Sequence, residues 1–407
     1  MHRDRFSDDC PGRLVPATLL RRRASPSGVM ETEPLPTLAF VPDPLPPKLD
    51  WRGLKADLFD ELTAATAALA RVNGLVSLAP SAVMLRHALW LREAKFSSAI
   101  ENIHTTALDM VLAQDNKPRG KDNKGLEALN AMKAVRHALG SDLPFSSRLI
   151  REMHRVLLQG TRGERERPGE YRDVQAYIGP EDAPDQARFV PPPPGKMPDQ
   201  VESCMAQLER FANAAHPEIP DLVAVAMIHY QFEAIHPFRD GNGRVGRALI
   251  LHQLCRRGLL ELPVVFVSGY LQAHKQSYVD RLFAVSADGD WMGWVRFFVD
   301  AVATQAAQTR VLAERLVALH RRYTEAVRAD GGPARLLRLI DSLFEWPVVN
   351  ARSVAALLGI TDPTARSDIS KLENLGILTL TEEVTYGKAW YPPGILAIIE
   401  APAEQLV

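Results

Sequence analysis

The chain has 407 residues, a formal net charge of -1 and three cysteines, Cys10, Cys204 and Cys255. That length holds two or three domains with a sizeable core, and the near-zero charge argues against a global basic field for nucleic acid. A sparse, odd cysteine set fits a reducing compartment better than a disulfide framework, and no apolar run approaches a membrane span, so the expectation is a cytoplasmic protein with no membrane partner.

Residues 1–29 are rich in Arg, Ser and Pro without a period and read as disordered. Arg21-Arg22-Arg23 follows too short an apolar stretch for a signal peptide, and Met30 stands as an alternative start. Prolines recur from Pro34 to Pro47 with Phe40, Val41 and Leu45 between them. That segment cannot be helical and is either a floppy leader or an extended arm laid over the body. The segment 1–45 is therefore expected as a disordered or extended leader. Helical spacing then runs from Lys55 to Asn73 (Leu58, Phe59, Leu62, Ala65, Leu69, Val72). A second helix after Pro80-Ser81 leads into Ser97-Ser98-Ala99-Ile100-Glu101-Asn102. Ser97 and Glu101 there are one turn apart.

Gly125–Leu139 and Phe145–Leu158 read as helices. Gly169–Gly179 and Ala187–Val190 flank a turn and form an expected β-hairpin, closed by Pro191-Pro192-Pro193-Pro194. Met197–Phe211 is helical again, and so is the apolar run beginning at Asp221, a plausible N-cap.

That run leads into His236-Pro237-Phe238-Arg239-Asp240-Gly241-Asn242-Gly243-Arg244-Val245-Gly246-Arg247, where the spacing predicts helix, tight loop, helix. Glycines admit close backbone approach, and a helix start offers free N–H donors and a positive dipole end. Arg244 and Arg247 share a face, so the loop suits a polyanion such as a nucleotide's phosphates. Asp240 can hold Mg²⁺ and His236 can serve as a base near neutral pH. Helices are expected at Leu249–Arg257, at His274–Val285 with Tyr278 on its face, and from Gly289-Asp290-Trp291 to about Val327. Ala329–Pro333 breaks the chain. Beyond it, three short helices and two strands around a polar turn follow the winged helix-turn-helix pattern over 333–400.

His236-Pro237-Phe238 with Asp240-Gly241-Asn242-Gly243-Arg244 and Arg247 resembles the signature of the Fic (filamentation induced by cyclic AMP) family, and the resemblance covers roughly 40–330. It implies a mainly α, Fic-type helical bundle with a β-hairpin flap, followed by the C-terminal winged helix. The implied divisions are a helical region at 46–140 with an inhibitory helix at about 92–103, and a catalytic core at 141–328 with the flap at about 174–191.

The implied activity is AMPylation: AMP passes from ATP to a Tyr, Ser or Thr hydroxyl and pyrophosphate leaves. His236 is then the general base, Asp240 the Mg²⁺ ligand, and Gly241, Asn242 and Gly243 the anion cradle. Arg244 and Arg247 contact the β- and γ-phosphates, and Tyr278 is assigned to the adenine pocket. Tyr177, Ile178 and Phe189 clamp the target side chain at the flap.

Ser97-x-x-x-Glu101-Asn102 resembles the family's inhibitory motif, with Glu101 pairing with Arg247. The implied partners are ATP, a hydroxyl-bearing protein that includes the chain itself, and a homodimer mate. The alternatives are a DNA-binding regulator that reads through Arg366, Ser367, Ser370 and Lys371, and an enzyme that removes AMP.

Overall fold

The structure is a computed structural model and describes residues 1, 3–24, 30–78, 82–115, 124–180, 182–195, 199–381 and 388–406. The Pro80-Ser81 helix start in part, the Met197 helix start and the polar turn at 382–387 lie outside the described residues. Two strands come first, β1 (Gly12–Ala24) and β2 (Met30–Pro42). Helices follow: α1 (Trp51–Asp57), α2 (Phe59–Leu78), α3 (Ala82–Ile100), α4 (Ala107–Asp115), α5 (Lys124–Leu139), α6 (Ser147–Leu158), α7 (Gln200–Asn213) and α8 (Asp221–Ile235). The series continues with α9 (Asn242–Arg256), α10 (Ser268–Ala273), α11 (Lys275–Asp288), α12 (Trp291–Ala329), α13 (Arg335–Glu345), α14 (Ala351–Leu358) and α15 (Asp362–Asn374). Strands β3 (Thr379–Thr381) and β4 (Ala389–Tyr391) precede α16 (Pro393–Glu400).

The chain divides into two compact units, each built from separate segments. One comprises 1–64, 133–257 and 273–301; the other comprises 65–132, 258–272 and 302–407. The unit borders near 64, 132 and 301 fall inside α2, α5 and α12.

In the first unit, α8 is buried nearly all round, as a helix apolar on every face must be. Trp294 of α12 is fully buried and donates its indole N–H to the Ala226 carbonyl at 2.9 Å, which satisfies the one polar atom of that ring. The start of α8 differs by one residue from the reading above. Pro220 takes the N-cap, and Asp221 instead accepts from Arg257 Nη1 at 2.9 Å.

The disorder expected for 1–29 gives way to a long antiparallel hairpin in β1. Its register pairs Gly12 with Pro42, Pro16 with Leu38, Thr18 with Pro36 and Leu20 with Pro34. Every proline of the two strands therefore sits at an even position. Phe40 shows where even positions point, because its N–H turns away from β1 to the Val190 carbonyl at 2.8 Å. The prolines thus occupy sites where no ladder donor is lost. The odd face carries Val15, Ala17, Leu19, Leu35 and Ala39, which pack with Ala187 and Val190. Toward the tip, Arg21 pairs with Glu33 at 2.9 Å. The proline-rich stretch is the extended arm, laid on its own unit.

The second unit carries the C-terminal elements. Arg335 of α13 makes a two-pronged ion pair with buried Asp368 of α15, at 2.7 and 2.8 Å. Helix α14 starts at an Asn350–Ser353 capping box. Strands β3 and β4 pair antiparallel, and Trp390 also bridges to Val349.

Candidate active site

The loop from α8 to α9 is built around a residue in an unusual conformation. His236 caps α8 with φ 49° and ψ 60°, the left-handed region that a non-glycine residue adopts at a cost of about 1–2 kcal/mol. Its N–H donates to the Phe232 carbonyl at 3.0 Å, ending the helix, and the residue is half-buried. Gly241, with φ 77°, makes a second left-handed turn and is the N-cap of α9. A Cβ there would lie 3.0 Å from the Leu157 side chain, so the position suits glycine twice over.

Within the loop, Asn242 straps the chain to itself. Its side-chain oxygen accepts from the Phe238 N–H at 2.8 Å, and its amide donates to the Phe238 carbonyl at 2.9 Å. The Asn242 side chain is thereby engaged on Phe238. Phe238 is fully buried and stacks on His154 with centroids 3.8 Å apart.

His154 and Arg172 hold the loop from outside it and were not found by reading the sequence. The His154 Nδ1 accepts from the Gly169 N–H at 2.9 Å, which fixes the proton on Nε2; that N–H donates to the Asp240 carbonyl at 2.9 Å. Burial pushes His154 down to about 4, so it is neutral in the fold. Arg172 is buried and donates to the carbonyls of His236 (2.8 Å), Val174 (3.2 Å), Pro192 (2.5 Å) and Ile235 (3.4 Å). Its own N–H donates to the Pro237 carbonyl at 2.8 Å. Burial lowers its guanidinium to about 10, so it remains charged. The nearest sequence signal is Gly169-Glu170-Tyr171-Arg172, in the first run of the expected hairpin and just ahead of the flap at about 174–191.

Asp240 presents a carboxylate with 41% of its side chain exposed. Its Oδ1 accepts from the Gly241 N–H at 2.6 Å and lies 3.5 Å from Arg244 Nη2. A Cβ at Gly163 would come within 3.0 Å of Asp240 Oδ2, so glycine there keeps that oxygen clear. Helix α9 opens with Asn242, Gly243 and Arg244, whose N–H groups form the first turn. Arg244 and Arg247 are both buried along that helix.

Tyr278 lies in α11 of the same unit and is buried. Its hydroxyl meets His229 Nε2 at 2.8 Å, while His229 Nδ1 faces the Gly246 carbonyl at 3.2 Å. Burial first, then neighbouring Arg247, pushes His229 down to about 3. The neutral ring therefore donates through Nδ1 and accepts from the Tyr278 hydroxyl.

The flap is a hairpin closed by one bridge, Ile178 to Phe189, with N–H···O distances of 2.8 and 3.1 Å. Tyr177 and Ile178 are half-buried and Phe189 is buried. The loop, the flap and Tyr278 are all in the first unit. Ser97 and Glu101 are in the second unit: Ser97 is buried in α3, while Glu101 is exposed in the turn after Ile100. There the Glu101 N–H donates to the Ser98 carbonyl at 3.0 Å, and Asn102 takes φ 60°. Among the described residues no three His, Cys, Asp or Glu side chains gather as a metal cluster.

Residues 144–254 match the model of the Fic/DOC family, and residues 59–140 match that of the Fic/DOC family N-terminal region. Residues 144–254 are thus similar to a Fic/DOC domain. Relatives of that domain include the protein adenylyltransferase Fic of Culex quinquefasciatus, 31% identical over 195 residues, which are 47% of this chain and 35% of the relative. The Drosophila ananassae protein of the same name is 30% identical over 226 residues, 52% of this chain and 41% of the relative. The chain thus spans about two-fifths or less of these relatives' length. Among solved structures, a Fic family protein from Desulfovibrio desulfuricans G20 aligns with a TM-score of 0.49 and 22% identity, covering 82% of this chain and 95% of that one. Fic-1 from C. elegans aligns with a TM-score of 0.47 and 21% identity, covering 67% and 75%. No helix among the described residues is long and apolar enough to cross a membrane.

Proposed function

We propose that the chain is a protein adenylyltransferase that moves AMP from ATP to a Tyr, Ser or Thr hydroxyl. The observation that carries this reading is the loop itself. A histidine is held at a left-handed helix end, next to an aspartate and the first turn of a second helix.

In this mechanism His236 takes the proton of the acceptor hydroxyl. The hydroxyl oxygen bonds to the α-phosphorus, the bond from that phosphorus to the α,β-bridging oxygen breaks, and pyrophosphate leaves. The N–H groups at Gly241, Asn242 and Gly243 form the anion hole, and Arg244 and Arg247 take the β- and γ-phosphates. Tyr278 is assigned to the adenine side, and Tyr177, Ile178 and Phe189 to the acceptor.

One exposed carboxylate beside a phosphate cradle suits magnesium, which uses one or two carboxylates and completes its shell with water and phosphate oxygens. Asp240 is the residue that would hold it, and its chemistry would be neutralising charge across the α- and β-phosphates. Glu101, with Ser97 in the preceding turn, is proposed to restrain transfer by competing with the γ-phosphate for Arg247.

The test incubates purified protein with ATP labelled at the α-phosphate and follows label into protein and intact mass. Transfer in the wild type and its loss in His236→Ala are expected. Equal turnover in His236→Ala overturns the base assignment, and label absent from every protein overturns the activity.

A second reading rests on the C-terminal elements as a winged helix that binds DNA. Asp368 is turned inward onto Arg335, so the outer face of α15 shows Arg366, Ser367 and Ser370. Lys371 is paired with Asp330 at 2.9 Å. Duplex binding that falls steeply with salt supports this reading; binding indifferent to salt ends it.

A further inference from the structure

The flap alone is a weak element. A single bridge joins its two arms, and an isolated two-stranded hairpin is at best marginally stable in water. Around it, however, the strand at 189–190 has neighbours on both sides. Phe189 turns its main chain to Ile178, and Val190 turns the opposite way, where its carbonyl accepts from Phe40 of β2. That one hydrogen bond ties β2 to the flap's second arm.

The side chains agree. Leu19, Ala39, Ala187 and Val190 form one buried cluster, with Tyr177 packed against it. Phe40 stands 5.7 Å from Phe189 and 5.7 Å from Phe6, which in turn stands 5.8 Å from Phe283. Arg5 Nη1 donates to the Arg188 carbonyl at 3.3 Å, and the Arg188 side chain pairs with Asp280 at 2.5 Å. All of these residues belong to the first unit. The β1–β2 hairpin lies outside both family-matched segments, 59–140 and 144–254.

We propose that the β1–β2 hairpin is a clasp that seats the flap and so positions the acceptor segment. Resting on the reading of the flap as the acceptor's docking strand, the clasp has two consequences. It occupies the Val190 edge, so an extended acceptor can pair only along the other edge, at Tyr177 and Gly179, whose main chains face away from Phe189. It also holds Tyr177 and Phe189 in place before the acceptor arrives, which lowers the ordering cost of binding. The nucleotide half is held by Asn242 and His154 on the loop, and Arg172 ties that loop to the flap's ends at Val174 and Pro192.

The parity of the prolines supplies a clean test in the full chain. Phe40→Pro removes the one donor to Val190 at a position type where β1 and β2 already carry proline. Phe40→Leu keeps that donor and loses the ring. Leu38→Pro changes a same-parity site with no bond to the flap. Amide hydrogen exchange is read at Ile178, Arg188 and Phe189. Phe40→Pro should speed exchange there by at least about fivefold, the weight of one hydrogen bond. Phe40→Leu should speed it less, Leu38→Pro should leave it near wild type, and Val245–Leu251 should be unchanged in all three.

If Phe40→Pro loses its helical circular dichroism, Leu19→Ala decides, because it thins the cluster without touching the ladder. Flap exchange equal to wild type in the deciding variant overturns the clasp, and a Leu38→Pro effect as large as that of Phe40→Pro does the same. A parallel assay uses a His236→Ala copy as acceptor and labelled ATP. The clasp predicts a raised KM for that acceptor in Phe40→Pro, with the KM for ATP within about twofold of wild type. Equal changes in both overturn the positioning role. A wild type that transfers no label counts against the transferase reading alone, since the exchange data stand without it.

Discussion

His236 holds an unfavourable backbone conformation, and its neighbours make that tolerable. Arg172 does most of this, reaching the carbonyls of Ile235, His236 and Pro192 at once. Lysine keeps the charge but not the planar fork. Arg172→Lys is therefore expected to lower kcat about 10- to 100-fold, the effect of a misplacement near 1 Å, while the KM for ATP moves less than about threefold. Steady-state kinetics with ATP varied checks this, and an unchanged kcat removes Arg172 from positioning.

The buried histidines set a second expectation. His154 and His252 lie near 4 and His229 near 3 in the fold, against about 6.5 when unfolded. All three are depressed, so below about pH 6.5 the unfolded chain takes up protons that the folded chain refuses. Their contribution to stability is whole above that pH and is lost as pH falls toward 4. Each adds up to about 1.4 kcal/mol per pH unit to the slope. Urea midpoints measured from pH 7.5 to 5 should fall, and His154→Gln, which can still donate to Asp240, should shallow the fall. A flat profile would contradict neutral, buried rings. The motif from His236 to Arg247 was legible because its chemistry is contiguous. Arg172 and His154 were not, because they stand 64 and 86 residues away from the loop residues they hold, and they act on main-chain carbonyls, which every sequence has.

At the scale of elements, the turn into α9 depends on Gly241 for its left-handed φ and for clearance from Leu157. Gly241→Ala is expected to cost about 1–2 kcal/mol from the backbone alone, and more from the contact. It should also weaken ATP binding by tilting the first turn. Thermal unfolding and calorimetric titration with ATP measure the two effects. A variant as stable as wild type would show that the turn can relax. Most helices were readable from apolar spacing and breakers: α12 was expected to about Val327 and ends at Ala329. The β1–β2 hairpin was not, although its odd face alternates over Val15, Ala17 and Leu19. Prolines at 16, 34 and 36 and the arginine run hide that alternation. Only the register shows that the prolines fall where a strand tolerates them. The expected hairpin carries the Ile178–Phe189 bridge, but the strand beside it was not legible, since pairing between segments about 150 residues apart leaves no local trace.

The whole molecule raises the question of how Glu101, in the unit built from 65–132, 258–272 and 302–407, could govern a loop in the other unit. The proposed answer is specific enough to separate from a general effect on stability. If Glu101 restrains transfer by competing for Arg247, removing it should raise labelled AMP transfer on the order of tenfold or more, through better aim of the α-phosphate. Arg247→Ala should lower transfer by itself, because the γ-phosphate loses its contact. The decisive variant combines them: with Arg247 already gone, Glu101→Gly should add little, since the two changes act on one interaction and cannot be additive. Full additivity would mean that Glu101 acts elsewhere, for example through the turn that Ser98 and Asn102 share with it.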